Sequence, residues 1–169
     1  MADSNIPFSA ENYVLDSCTL RRIGGEEEAM RVGRTLASME PWSVLRFSAD
    51  RLSRYLLRAD PALNRYVMDV SGEARGVVSV RYPWLHGPYL ELLAVFDPWR
   101  SGGIGRDVMG WIESQATGTS GNVWVLVSSF NVKAHGFYRA MGFSDVAPLP
   151  DMIETGHTEI LLRKVLKAV

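Results

Sequence analysis

Cysteine is almost missing from this chain: Cys18 is the only one among 169 residues. One thiol can neither close an internal disulfide nor build a cysteine-based zinc cluster, and it suits a reducing compartment, so a cytoplasmic location is expected. Histidine is nearly as scarce. His86, His135 and His157 share no ligand spacing, so no metal is expected and each reads as an exposed singleton. No run approaches the ~20 apolar residues that a membrane-crossing helix needs. Met1 to Glu11 has neither the basic nor the apolar part of a secretion signal, and residues 1–11 are expected to be a poorly ordered terminus. An excess of either charge is missing too: 18 lysines and arginines stand against 19 acidic residues, a net charge of −1. Neither nucleic acid nor a membrane surface is called for as a partner. Repeats, low-complexity tracts and Pro/Gly/Ser-rich linkers are also absent. With 47% hydrophobic and 22% charged residues, residues 1–169 read as one globular domain with a substantial core.

The local pattern predicts a sequence of elements. Asn12 to Ile23 alternates loosely and reads as one strand ended by Gly24-Gly25. Glu26-Glu27-Glu28 then opens a helix at its positive end, with Met30, Gly33 and Leu36 or Ala37 as its buried stripe. Ser48 is a plausible N-cap for a second helix that buries Leu52, Tyr55, Leu56 and Ala59 before Asp60-Pro61 stops it. Arg65 to Val70 and Gly76 to Tyr82 read as a hairpin, and Tyr89 to Phe96 as a further strand. Val123 to Val127 is an unbroken apolar run suited to a strand covered on both sides. Asn131 to Met141 places Ala134, Phe137, Tyr138 and Met141 at helical spacing, with Gly142 past its end, and Phe143 to Val146 and Thr158 to Val165 supply closing strands. The expected fold is α/β: a mixed, mostly antiparallel sheet of about seven strands with helices on both faces.

The chemistry centres on the segment from Leu92 to Arg106. After Asp97-Pro98 the chain passes through Gly102, Gly103 and Gly105, and apolar residues then recur at Ile104, Val108, Ile112 and Ala116, one face of a helix. Glycines let a ligand approach the peptide groups, and the first N–H groups of a helix lack intrahelical partners at the positive end of its dipole. Such a turn, bracketed here by Arg100 and Arg106, binds anions. It lacks the Lys-Ser/Thr of a Walker loop, and Val108 stands where a dinucleotide fingerprint wants its third small residue.

Arg100-Ser101-Gly102-Gly103-Ile104-Gly105 fits Arg/Gln-x-x-Gly-x-Gly/Ala and resembles the acetyl-CoA-binding motif of the GCN5-related N-acetyltransferase (GNAT) superfamily. Asn131 to Phe143 resembles that superfamily's second signature, Asn-x-x-Ala-x-x-Phe-Tyr-x-x-x-Gly-Phe. The resemblance is strong from Tyr89 to Phe143 and weak before residue 60. It implies an enzyme that transfers an acetyl group from acetyl-CoA to a primary amine of a small molecule, peptide or protein. It also admits a module that binds acyl-CoA without turnover, and a homodimer.

By the same resemblance, the backbone of Arg100, Ser101, Gly102, Gly103, Ile104, Gly105 and Arg106 holds the pyrophosphate. The main chain of Leu93, Ala94 and Val95 pairs with the pantetheine, and Asn131 contacts the cofactor arm besides capping its helix. Tyr138 corresponds to a tyrosine near the thioester sulfur, where a phenol with an ordinary pKa near 10 can protonate the leaving thiolate. The family's usual glycine after the arginine is Ser101 here, and a usual lysine or arginine is Gly102.

Glu91 is the candidate base, since a carboxylate in an apolar strand has its pKa raised by desolvation. Tyr89 on the same face competes for the role, a bulge would re-aim either side chain, and a structural salt bridge is the plainer use of Glu91. Ser128 and Ser129 end a strand beside the expected cleft. Acceptor choice is expected from Met39 to Ser43, including Trp42, and from Pro148 to Gly156, where Asp151 and Glu154 would suit a cationic amine.

Overall fold

The computed structural model describes residues 6–166. Twelve elements follow one another: β1 (Asn12–Val14), β2 (Thr19–Arg21), α1 (Glu26–Ala37), α2 (Ala49–Leu57), β3 (Leu63–Val70), β4 (Glu73–Trp84), β5 (Gly87–Val95), α3 (Ile104–Ala116), β6 (Asn122–Ser128), α4 (Val132–Ala140), β7 (Ser144–Pro150) and β8 (Thr158–Val165). The fold is mixed α/β with mostly antiparallel strands, as the order of elements predicts. The described strands number eight rather than about seven, because Asn12 to Ile23 folds back on itself. The Leu15 N–H donates to the Cys18 carbonyl at 2.9 Å, and Asp16-Ser17 at the bend are residues that favour turns.

The described residues group into two compact units. The first holds β1 to β5 and α3, with the five strands side by side in chain order and each antiparallel to the next. On it, α3 buries Ile104, Val108, Met109, Trp111, Ile112 and Ala116 and packs against β5. An aromatic cluster fills one end of this core. The Trp111 ring meets Phe8 at 5.3 Å, Tyr13 at 5.1 Å and Tyr66 at 5.6 Å between centroids. The Phe8 N–H donates to Gln115 Oε1 at 3.0 Å.

Phe8 is buried, and its hydrogen bond ties it to α3; residues 1–5 lie outside the described residues. Cys18 is buried, and burial pushes its thiol up to about 11, which keeps it protonated and unreactive at neutral pH.

A close backbone approach holds β4 against β5. Gly76 pairs with Val95, and a Cβ built on it would stand 2.4 Å from the Ala94 carbonyl oxygen and 2.6 Å from Met68 Sδ. No side chain fits there, so glycine at this position lets two strands approach where any other residue would push them apart.

In the second unit α1 packs on α2, burying Ala29, Val32, Gly33 and Leu36 from one and Leu52, Ser53 and Leu56 from the other. Gly33 and Leu36 of α1 are buried as expected, but Met30 is exposed and Ala29 and Val32 complete the buried face; the second helix ends at Leu57, which leaves Ala59 outside it and exposed. Ser48 is the N-cap as predicted, its Oγ accepting from the Arg51 N–H at 3.1 Å. The strand order here is β6-β8-β7, and β7 runs on past Val146 to Pro150. No helix among the described residues is long and apolar enough to cross a membrane.

Gly76→Ala is expected to lower unfolding stability by about 1–3 kcal/mol, read from the urea midpoint. Adding Met68→Ala will not restore it, because the nearer obstruction is a backbone carbonyl.

Candidate active site

The strand-to-helix turn is built by short backbone bonds. Beyond the end of β5, the Phe96 N–H donates to the Arg75 carbonyl at 2.8 Å, the Trp99 N–H to the Phe96 carbonyl at 2.8 Å, and Arg100 Nε to the Val95 carbonyl at 3.1 Å. The Arg75 guanidinium covers the Trp99 ring at 4.4 Å. Ser101 has φ 67°, the left-handed conformation that a glycine adopts most readily, so the serine occupies a glycine-like position without the glycine. Gly103 has φ 91° and is the N-cap of α3, which has no side-chain cap.

That last point separates α3 from two other helices. α2 is capped by Ser48, and α4 by Asn131, whose Oδ1 accepts from the Ala134 N–H at 3.2 Å. At α3 no side-chain oxygen serves the first N–H groups, and the flanking Arg100 and Arg106 are exposed. This donor set fits a diphosphate: peptide hydrogens at a positive helix end, with two guanidinium groups beside them.

In the same unit, Leu93, Ala94 and Val95 pair with Val78, Val77 and Gly76 of β4. The register shifts just upstream: Ser79 faces Leu92 but Val80 faces Leu90, so Glu91 is the extra residue of a β-bulge. Its carboxylate is not alone. Arg81 donates Nε to Glu91 Oε2 at 2.7 Å and Nη2 to Oε1 at 3.4 Å, and its Nη1 lies 3.0 Å from Asp60 Oδ2. These bonds hold the guanidinium charged, well above its ordinary range. The expected isolated, desolvated carboxylate is thus an ion-paired one, and Tyr89, half-buried, stacks obliquely on Trp84 at 4.9 Å.

In the second unit, β6 turns into α4 through Ser129-Phe130-Asn131. The Asn131 N–H donates to the Ser128 carbonyl at 2.8 Å while its side-chain oxygen caps the helix, which leaves its NH2 end as a donor. Tyr138 is the buried residue of α4, with Phe137 at 5.3 Å and Phe143 at 5.7 Å from its ring.

His135 departs from the expected exposed singleton. Its Nε2 lies 2.8 Å from Asp145 Oδ1, and Arg139 Nη2 lies 2.6 Å from Asp145 Oδ2. Arg139 first and His135 second hold the Asp145 carboxyl down at about 2. His86 is exposed in a turn, and the His157 ring meets Phe130 at 5.4 Å.

The two segments from which acceptor choice is expected carry their own local hydrogen bonds. The Ser43 N–H bonds the Met39 carbonyl at 2.9 Å beside a half-buried Trp42. Asp151 Oδ1 accepts from the Gly156 N–H at 2.7 Å, so it closes its own loop, and Glu154 takes the His157 N–H on its carbonyl at 3.1 Å.

One polar residue escaped the sequence reading. Glu159, at 2% exposure, receives the Ser128 hydroxyl at 2.9 Å from Oε1 and 3.0 Å from Oε2. Burial pushes its carboxyl above the ordinary range, and Ser128 and the charge of His157 pull it partly back. The signal available beforehand was a lone carboxylate at the head of the apolar run Ile160-Leu161-Leu162.

The model of the Acetyltransferase (GNAT) family matches residues 29–143 of this sequence. Among solved structures, an acetyltransferase from Thermus thermophilus is similar at 20% identity and TM-score 0.69, over 93% of this chain and 100% of that one. An aminoglycoside 6'-N-acetyltransferase complexed with coenzyme A is similar at 13% identity and TM-score 0.69, over 93% and 99%. A nourseothricin acetyltransferase is similar at 25% identity and TM-score 0.58, over 64% and 68%. No curated protein matches the sequence.

The Asp145 carboxyl is expected to titrate at about 2 when followed by its 13C resonance, and Arg139→Gln to move that midpoint up toward the ordinary ~3.9. Because the folded value is depressed, whatever stability the cluster contributes is present above pH ~4 and is lost as pH falls toward ~2.

Proposed function

The chain belongs to the GNAT acetyltransferase family, and from that premise we propose that it moves the acetyl group of acetyl-CoA to a primary amine by direct attack on the thioester. The observation that carries this reading is the start of α3. Gly102, Gly103 and a left-handed Ser101 bring the chain to a helix whose first N–H groups meet no side-chain cap, between two exposed arginines. Those N–H groups and Arg100 and Arg106 hold the pyrophosphate of the donor, and the peptide groups of Leu93, Ala94 and Val95 align its pantetheine arm. Asn131 adds its side-chain NH2. A similar protein complexed with coenzyme A supports the choice of donor.

Tyr138 supplies the proton for the departing thiolate. A phenol keeps its proton at neutral pH and can surrender it to sulfur as the C–S bond breaks, and the ring packs against Phe137 and Phe143. For Glu91 the two bonds from Arg81 favour a holding role: protonating it gives up charge-assisted bonds that fix the bulge. The acceptor is a small molecule, a peptide or a protein carrying the amine.

Incubating the chain with acetyl-CoA and a panel of amines is expected to release free thiol in proportion to acetylated product, followed with a thiol reagent and mass spectrometry. Binding of acetyl-CoA by calorimetry with no release on any amine would instead mark a non-catalytic acyl-CoA module. Tyr138→Phe should lower kcat by about ten- to a thousand-fold and leave the KM for acetyl-CoA near its original value. An unchanged kcat removes Tyr138 from the chemistry.

A further inference from the structure

The turn between β5 and α3 is gripped by a residue that lies outside it. Along the β3–β4 pair, Met68 faces Gly76 while Asp69 faces Ala74, so Arg75 is the extra residue of a β-bulge. A bulge re-aims the side chain it carries. Here the Arg75 carbonyl takes the Phe96 N–H at 2.8 Å just past the end of β5, and the Arg75 guanidinium lies over the Trp99 ring at 4.4 Å. One residue of β4 thus holds the chain on both sides of Asp97-Pro98.

The side-chain half of that grip is made by stacking and charge. Arg75 Nε and Trp99 Nε1 are both buried, and neither has a hydrogen-bond partner among the described residues; Arg75 Nη2 pairs with Glu73. Indole is the aromatic ring that attracts a cation most strongly, and a planar guanidinium can lie flat upon it. Trp99 in turn borders the residues that lead to the helix. Its N–H bonds the Phe96 carbonyl at 2.8 Å, and its own carbonyl oxygen stands 3.3 Å from where a Cβ on Gly102 would lie. The tryptophan therefore sits between Arg75 on one side and the stretch Ser101-Gly102-Gly103, with its two left-handed residues, on the other.

We propose that Arg75 is a positioning residue for the donor: by covering Trp99 it holds the turn in the conformation that presents the first N–H groups of α3 to the diphosphate. It meets no reacting atom and acts through Trp99. The identity of the diphosphate rests on the acetyltransferase reading above. Without the stacked cation the turn visits other conformations, and the apparent affinity falls with the fraction of molecules that stays competent to bind.

Arg75→Met keeps most of the side chain's length and removes the cation. It should raise the Kd for acetyl-CoA, read by calorimetry, by about three- to thirty-fold, and raise the KM for acetyl-CoA with it, while kcat at saturating donor stays near the wild-type value. Arg75→Lys, which keeps a charge over the ring, should fall between the two. Trp99→Leu should weaken donor binding as well, and the double variant should bind no worse than the weaker single one, because both changes remove one contact. Effects that multiply instead would mean that the guanidinium meets the donor directly, and they overturn the proposal. So does an Arg75→Met chain with a lowered urea midpoint and an unchanged Kd, which marks a residue that serves stability alone. If Arg75→Met does not fold, Trp99→Leu decides: a wild-type Kd overturns the proposal. If the wild-type chain binds no acetyl-CoA, the acetyltransferase reading fails by itself, and hydrogen exchange of the free protein decides Arg75. Faster exchange at the Trp99 amide in Arg75→Met, with Met109 to Ile112 unchanged, then upholds its hold on the turn, and unchanged exchange overturns it.

Discussion

Peptide N–H groups at a helix start must be satisfied by something, and in α3 no side chain does it. Everything from β5 to Ile104 is arranged around that deficit. Gly103 takes a left-handed conformation, Ser101 takes one as well, and Arg100 Nε bonds the Val95 carbonyl. The helix itself is anchored from beneath, with Trp111 in the aromatic cluster of Phe8, Tyr13 and Tyr66. A helix with an uncapped positive end offers its first peptide hydrogens to an anion.

The second organising constraint is the disposition of carboxylates. Arg81 is shared between Glu91 and Asp60, and Arg139 and His135 are shared around Asp145. In both places a carboxylate is paired with a guanidinium, which steadies a bulge or a helix end. Glu159 accepts from a hydroxyl, and among the described residues no guanidinium bonds it. Burial raises the Glu159 carboxyl while Arg139 and His135 lower that of Asp145, a difference set by their surroundings.

Much was legible before folding because it depends on neighbours in the chain. The helix spacing of Ile104, Val108, Ile112 and Ala116, the caps at Ser48 and Asn131, and the apolar run at Val123 to Val127 all report local rules, and each element stands where it was expected. The misses are of another kind. The hairpin within Asn12 to Ile23 needed β3 beside it, since Leu20 pairs with Met68. The exposure of Met30 was settled by which side of α1 meets α2. The hold on Phe8 likewise comes from afar, through Gln115, 107 residues on.

The sequence by itself determined the order of elements, the glycine-rich turn and the second signature, and through them the family. Those are short-range patterns of residue type, readable because helix and turn chemistry repeats over a few positions. Only the tertiary structure decided the state of the carboxylates. Arg81 lies ten residues from Glu91 and Ser128 lies 31 from Glu159, and whether a carboxylate meets a guanidinium or a lone hydroxyl depends on strand register, which no local pattern encodes.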